Sequence, residues 1–160
     1  MVRPYAVLDI DGVLADTEHR MHHLQPGRKN WNAFFAAAPK DPPLDEGVEV
    51  AHTLARDHDI AYVTGRPGRY RSATLDWLDG HGLPPGLLIM RAAEDRRPAT
   101  VIKLAAIRRL AAARPVAVIV DDDPDVCDAA RQAGFTVFEA TWAPENRHRR
   151  SGRAAGGEKH

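Results

Sequence analysis

The chain has one cysteine, Cys127, so neither an internal disulfide nor a cysteine metal cluster is available to it. Placed in a helical stretch behind an acidic run, this thiol is expected to be a small buried apolar side chain rather than a nucleophile. The chain also lacks an apolar run of membrane-spanning length and a leading apolar signal segment, since Met1 is followed within a few residues by a strand pattern. A cytoplasmic protein without membrane contact is the expectation. Net charge is the third absence, because 22 basic residues face 22 acidic ones and bulk electrostatics select no partner. Locally that balance breaks. From Ala143 onward, Arg147, Arg149, Arg150, Arg153 and Lys159 stand against Glu145 and Glu158 in a Gly, Ala and Ser background. Residues 143–160 therefore read as a flexible basic tail able to hold nucleic acid loosely. With 160 residues the chain can bury one good core and has no room for a second.

What the chain does have is Val7-Leu8-Asp9-Ile10-Asp11-Gly12-Val13-Leu14, an apolar run that ends in two carboxylates one residue apart. In a strand the side chains alternate faces, so Asp9 and Asp11 point the same way while Ile10 turns into the packing. Gly12 then permits a sharp turn. Two carboxylates held this close repel one another, and a hard metal ion or a shared proton is the usual relief. A calcium loop is excluded by position. Counted from Asp9, the fifth and sixth places hold Val13 and Leu14, where an EF-hand needs an oxygen ligand and glycine.

Residues 15–45 carry helical patterning without a strand signal. Trp31, Phe34 and Phe35 share one face of a short helix that ends before Pro39 and Pro42-Pro43. Packing is their simplest role, and a base-stacking surface is the sharper alternative. His19, His22 and His23 cluster nearby with no further group to complete a metal site, so exposed helix positions account for them. Helices are then expected at 48–58, 69–81, 98–113 and 124–133. They alternate with the short apolar strands Ile60-Ala61-Tyr62-Val63, Leu87-Leu88-Ile89-Met90, Val116-Ala117-Val118-Ile119-Val120 and Thr136-Val137-Phe138. Such alternation implies an α/β fold: a Rossmann-like parallel sheet of about five strands with helices on both faces. A small helical insertion at 16–46 would follow the first strand. In such sheets ligands bind beyond the carboxyl ends of the strands, where Asp9, Asp11, Thr64 and the run Asp121-Asp122-Asp123 all fall.

Taken in order, Asp9-Ile10-Asp11-Gly12-Val13-Leu14, Thr64-Gly65-Arg66, Lys103 and Asp121-Asp122 resemble the motifs of the haloacid dehalogenase (HAD) superfamily of aspartate-dependent phosphohydrolases. The resemblance covers about residues 5–142, and residues 1–142 are expected to form one HAD-like phosphatase domain. It implies that Asp9 is the nucleophile that forms an aspartyl-phosphate, that Asp11 protonates the departing alkoxide and then deprotonates water, and that Thr64 and Lys103 hold the phosphate. It further implies Mg²⁺ bound by Asp9, the backbone carbonyl of Asp11 and Asp122, with Asp121 as an outer ligand or the lysine's partner. A carboxyl at Asp11 favours phosphomonoester hydrolysis over dehalogenation, since an alkoxide needs a proton to leave and a halide does not. Asp123 is left out of the site as the cap of the helix opened by Pro124. One departure appears. Many members carry an acidic residue four places beyond the metal-binding aspartate, where this chain has Val126, and Asp125 is out of step.

Substrate choice in this superfamily comes from inserted caps, and none here is large, so an open site that admits a bulky ester is expected. Thr64-Gly65-Arg66, the helix carrying Arg71, Thr74 and Trp77-Leu78, the Met90 strand, the arginine-rich loop before Lys103 and Val120-Asp121-Asp122 resemble the 3'-phosphatase domain of phage-type polynucleotide kinases. That likeness implies a polynucleotide or nucleotide 3'-phosphate as substrate, with Gly65, Arg66 and Arg97 among the groups that bind it. Arg69, Arg91 and Arg96 are further candidates to hold a phosphodiester backbone, while pairing with Glu94, Asp95 and neighbouring carboxylates is their plainer use. Small nucleotide or sugar phosphates are the alternative substrates. A receiver-type signalling domain is the alternative of another class. It would place its phosphorylated aspartate after a middle strand with Thr and Lys following, whereas here the acidic pair recurs after Lys103.

Overall fold

The computed structural model describes residues 2–144 and is organised around β1 (Tyr5–Leu8), whose four side chains are all buried. A strand buried on both faces belongs in the middle of a covered parallel sheet. β1 pairs in parallel with β2 (Asp59–Pro67) on one side and β4 (Val116–Asp121) on the other, so that Leu8 lies opposite Tyr62 and Val120. β3 (Gly86–Arg91) extends the sheet beyond β2, and β5 (Val137–Glu139) extends it beyond β4, both in parallel. The order β3-β2-β1-β4-β5 is the five-stranded α/β sheet expected from the alternation of apolar runs and helices.

Alternate residues of β1 serve opposite layers. Ala6 and Leu8 join Tyr62, Leu88 and Val120 against Ala51 of α2 (Asp45–Ala55) and Trp77 and Leu78 of α3 (Arg71–Gly80). Tyr5 and Val7 join Ala61, Val63 and Ile119 against Ala106, Ile107 and Leu110 of α4 (Ala99–Ala113) and Ala130 of α5 (Pro124–Gln132). Full burial of a Leu or Ile side chain stabilises by roughly 1.5–3 kcal/mol, so each layer is held by several such contributions. Cys127 is the buried apolar side chain expected of it. Its thiol donates to the Asp121 carbonyl oxygen at 3.4 Å, and burial pushes its pKa up to about 12. Among the described residues no helix is long and apolar enough to cross a membrane. The expected basic tail lies, beyond Pro144, outside the described residues.

Most element boundaries lie within one or two residues of the sequence expectation, and those of α2 and β2 differ by more. α2 starts at Asp45 rather than at 48, because its first turn carries Asp45 and Glu46, acidic residues that suit a helix N-terminus but add nothing to an apolar period. β2 runs on past Val63 to Pro67, with its pairing to β3 slipping between those two residues. Thr64 and Arg66 thereby lie buried within β2 itself rather than beyond its end. The segment after β1 forms a 3₁₀ stretch (Glu18–Leu24), α1 (Trp31–Ala36) and a short 3₁₀ turn (Ala38–Lys40). It is tied at its base by an isolated bridge between Ala15 and Pro43 and by Leu44 N–H donating to the Leu14 carbonyl at 2.7 Å.

The chain moves outward from β1 to β3 and then crosses to β4, so the strand order reverses between β1 and β4. A crevice opens at such a reversal beyond the carboxyl ends of the strands. Gly47 sets how closely α2 approaches this point: a Cβ there would sit 1.8 Å from the Val13 carbonyl oxygen. In an open helix Gly→Ala gains up to about 1 kcal/mol. Here the gain should reverse, and Gly47→Ala is expected to lower unfolding free energy in a urea titration by about 1–3 kcal/mol, because backbone must shift to admit the methyl. A stabilised variant would contradict this packing.

Candidate active site

Asp9 follows β1 directly and is fixed by its own backbone. Its N–H donates to the Val120 carbonyl at 2.9 Å, and one carboxylate oxygen accepts the Ile10 N–H at 2.8 Å. The chain then turns tightly, with the N–H groups of Val13, Leu14 and Ala15 all directed at the Ile10 carbonyl. Gly12 makes the turn with φ of 81°, and a Cβ on it would lie 2.1 Å from a carboxylate oxygen of Asp122. Conformation and close approach both demand glycine there, and the turn brings Asp122 beside Asp9.

Asp9, Asp121 and Asp122 each offer a carboxylate oxygen, and the three atoms lie within 4.8 Å of one another. The ammonium of Lys103, buried on α4, sits 3.1 Å from Asp9 and 3.1 Å from Asp121. Burial, opposed by Lys103 and reinforced by Asp121, Asp122 and Asp11, pushes the Asp9 carboxyl well above the usual carboxylate range. Burial alone would lower the Lys103 ammonium, yet Asp121 and then Asp9 outweigh it and hold the group charged. Three carboxylates and one ammonium leave the cluster net negative. An all-oxygen donor set of that charge suits a hard divalent cation. Asp121 has both oxygens engaged, one by Lys103 and the other by the Asp123 N–H at 2.9 Å. Asp123 caps α5 by accepting the Asp125 N–H at 2.9 Å, as expected. Thr64, 2% exposed, accepts the Arg66 N–H at 3.2 Å and keeps its own hydroxyl hydrogen to donate.

Asp11 faces a different environment, one residue away. Its carboxylate accepts from Arg20 at 2.8 Å and from Arg66 at 2.6 and 3.1 Å. Arg20, 0% exposed, and Arg66 also reach the buried Asp41, at 2.7 and 3.4 Å, and His19 approaches Asp41 at 2.6 Å. Burial raises the Asp11 carboxyl, but Arg66 and then Arg20 outweigh it and hold the group below its ordinary value. Arg20 and Asp41 did not stand out in the sequence. Arg20 lies on a 3₁₀ stretch with no 3.6-residue period to mark a buried face, and Asp41 sits in a Lys-Asp-Pro-Pro run that reads as a surface turn.

A cleft of about 850 Å³ opens over these groups and is lined by Asp9, Asp11, Thr64, Gly65, Lys103 and Asp122. Arg91, Arg96 and Arg97 line it too. Arg66 does not, because its guanidinium points inward to Asp11 and Thr74. Arg69 is drawn to Asn32. Arg97 is exposed and paired with Asp95 at 2.7 Å, and its hydrogen bonds hold the Asp95 carboxyl down at about 2. Arg91 is pinned to the carbonyls of Gly65, Asp95 and Arg97. The structure thus brings together Asp9, Asp11, Thr64, Lys103, Asp121 and Asp122, and leaves Arg97 on the rim.

The family model described as the polynucleotide kinase PNKP phosphatase domain matches residues 4–142. Among solved structures, the Pnkp1/Rnl/Hen1 RNA repair complex contains a chain similar to this one, at 23% identity and a TM-score of 0.68, over 89% of this chain and 44% of that one. A further Pnkp1/Rnl/Hen1 complex gives 22% identity and a TM-score of 0.74, over 89% and 47%. The class C acid phosphatase from Bacillus anthracis with tungstate bound gives 14% and 0.63, over 88% and 68%. These likenesses are of fold. The chain spans less than half the length of the two chains from the RNA repair complexes. No curated protein matches it.

Two outcomes follow from the charge network. Asp41→Ala leaves two buried guanidinium groups short of a counter-ion and is expected to cost about 3–5 kcal/mol in chemical unfolding; a loss below 1 kcal/mol would contradict this. Because the folded Asp11 carboxyl lies below its ordinary 3.8, the stability it contributes is complete above that value and lost as pH falls through the lower one. Wild-type protein should therefore lose more stability than Arg66→Gln between about pH 5 and pH 2, and parallel curves would contradict the pairing.

Proposed function

The chain belongs to the polynucleotide kinase PNKP phosphatase-domain family and is a HAD-superfamily phosphatase, and on that premise we propose that it is a Mg²⁺-dependent phosphomonoester hydrolase that works through an aspartyl-phosphate on Asp9. The observation that carries the reading is the convergence of Asp9, Asp121 and Asp122 within 4.8 Å, with the Lys103 ammonium between two of them and Asp11 alongside. The preferred substrate is a polynucleotide or nucleotide 3'-phosphate. Residues 1–142 form the phosphatase domain in this reading, with 16–46 as a small cap-like insertion at the cleft.

Asp9 attacks phosphorus while the ester P–O bond breaks, and the departing alkoxide takes a proton from Asp11. Water then attacks the phosphoryl group, Asp11 recovers a proton from it, and the aspartyl P–O bond breaks to release phosphate and regenerate the carboxylate. The two arginines keep Asp11 ionised at rest, which suits its role toward water. A phosphate dianion beside it raises the carboxyl and allows it to arrive protonated for the first step. Thr64 donates its hydroxyl to a phosphate oxygen, and Lys103 holds Asp9 against the incoming negative charge. Asp9, Asp122 and the backbone carbonyl of Asp11 would hold Mg²⁺, which when bound supplies further neutralisation of the phosphate. Asp121, with both oxygens engaged, orients the lysine.

The wide cleft, with exposed Arg96 on its lining, supports a polymer-sized substrate, as does the likeness to Pnkp1 of an RNA repair complex. Asp9→Asn is expected to abolish Mg²⁺-dependent phosphate release from p-nitrophenyl phosphate; retained activity would remove the mechanism. Asp11→Asn should slow release from a 3'-phosphorylated oligonucleotide by about 10²–10⁴-fold, yet barely change the first-turnover burst of nitrophenol, because a nitrophenolate leaves without a proton. Equal losses on both substrates would overturn the role given to Asp11.

A further inference from the structure

Trp31 opens α1 and is 49% exposed, although Phe34 on the same helix is 7% exposed and already anchors it. The Phe34 ring lies beneath the Arg20 guanidinium at 4.2 Å, and the Phe34 carbonyl accepts from Arg20 at 3.2 Å. Helix packing is thus served from inside, through the arginine that grips Asp11. Trp31 is held in place and stays half exposed, with the Lys29 ammonium 5.9 Å from the centre of its ring. Its ring stacks on Phe35 at 5.9 Å and 24° and meets Phe34 edge-on at 5.8 Å, while Phe35 leans on Tyr70 at 5.7 Å.

This aromatic surface lines the same cleft as Asp9, Thr64 and Lys103. Inorganic phosphate has no flat apolar face to offer it, and a sugar phosphate has only the puckered C–H face of its ring. A nucleobase has a flat face, and stacking on an aromatic side chain tolerates any base. Arg96 lines that cleft as well, exposed and with no ion pair among the described residues, so it can meet the next phosphodiester of a strand. Resting on the phosphatase reading above, we propose that Trp31, backed by Phe35, is the stacking surface for the terminal nucleobase of a 3'-phosphorylated strand.

The test compares two 3'-phosphorylated oligonucleotides with Mg²⁺, one intact and one abasic at its terminal nucleotide. Wild-type protein is expected to favour the intact strand by about 10-fold in kcat/KM, in keeping with the usual strength of base–aromatic stacking. In Trp31→Ala that ratio should fall to near one, and in Trp31→Phe most of it should persist. The ratio is internal to each variant, so a general loss of activity does not mimic the effect. A wild-type ratio near one, or a ratio unchanged in Trp31→Ala, overturns the stacking role and leaves the phosphatase intact. Protein that hydrolyses p-nitrophenyl phosphate but neither strand, or that hydrolyses a phosphoserine peptide as well as the intact strand, overturns the polynucleotide substrate and the stacking surface with it.

Discussion

An ammonium held 3.1 Å from each of two buried aspartates is the contact on which the arrangement of this edge depends. Asp9 arrives from β1, Asp121 from β4 and Lys103 from α4, three segments far apart in the chain. Two like charges about 4 Å apart repel by roughly 4 kcal/mol at an effective dielectric of 20, and burial increases the cost. Lys103 removes much of that cost while leaving the cluster short of positive charge. The residual negative charge makes the cluster suited to a divalent cation.

Asp9 and Asp11 are separated by one residue, yet their environments push them in opposite directions. Burial and three neighbouring carboxylates raise Asp9 against Lys103, whereas Arg66 and Arg20 lower Asp11. On these shifts alone Asp9 would hold a proton and Asp11 would be ionised; the division of tasks proposed above needs a cation at Asp9 to lower its carboxyl and a phosphate beside Asp11 to raise that one. The division requires a second, separately balanced network in which Asp41 holds the far sides of both arginines. That network ties the insertion to the sheet edge, since Arg20 and Asp41 come from the former, Asp11 from the turn after β1 and Arg66 from β2. Phe34, bound to Arg20 by ring and carbonyl, carries the connection on to the aromatic wall of the cleft.

Much of this was legible from residue order. Apolar runs of strand length alternating with helices led to the parallel sheet, and the motifs at the strand ends led to the family that the match over residues 4–142 shows. Thr64, Lys103 and Asp121 could be named because each belongs to a motif with fixed chain order. Arg20 and Asp41 could not, since a buried ion pair joining a 3₁₀ stretch to a proline-rich turn leaves no periodic trace. Arg66 was visible as an arginine near the site, but its inward direction depends on β2 continuing past Val63, which the apolar run did not reveal. The start of α2 was hidden for the opposite reason, because charge at a helix N-terminus stabilises the helix while interrupting the apolar pattern.

The assignment of Asp9 as the atom that bonds to phosphorus is best tested by chemical trapping. Protein mixed with Mg²⁺ and a phosphomonoester, quenched in acid within a turnover and reduced with borohydride, converts any aspartyl-phosphate to homoserine, which peptide mass spectrometry locates. Homoserine at position 9, and at no other aspartate, is the expected result. Turnover that leaves Asp9 unmodified, or marks Asp11 or Asp122 instead, would contradict the account.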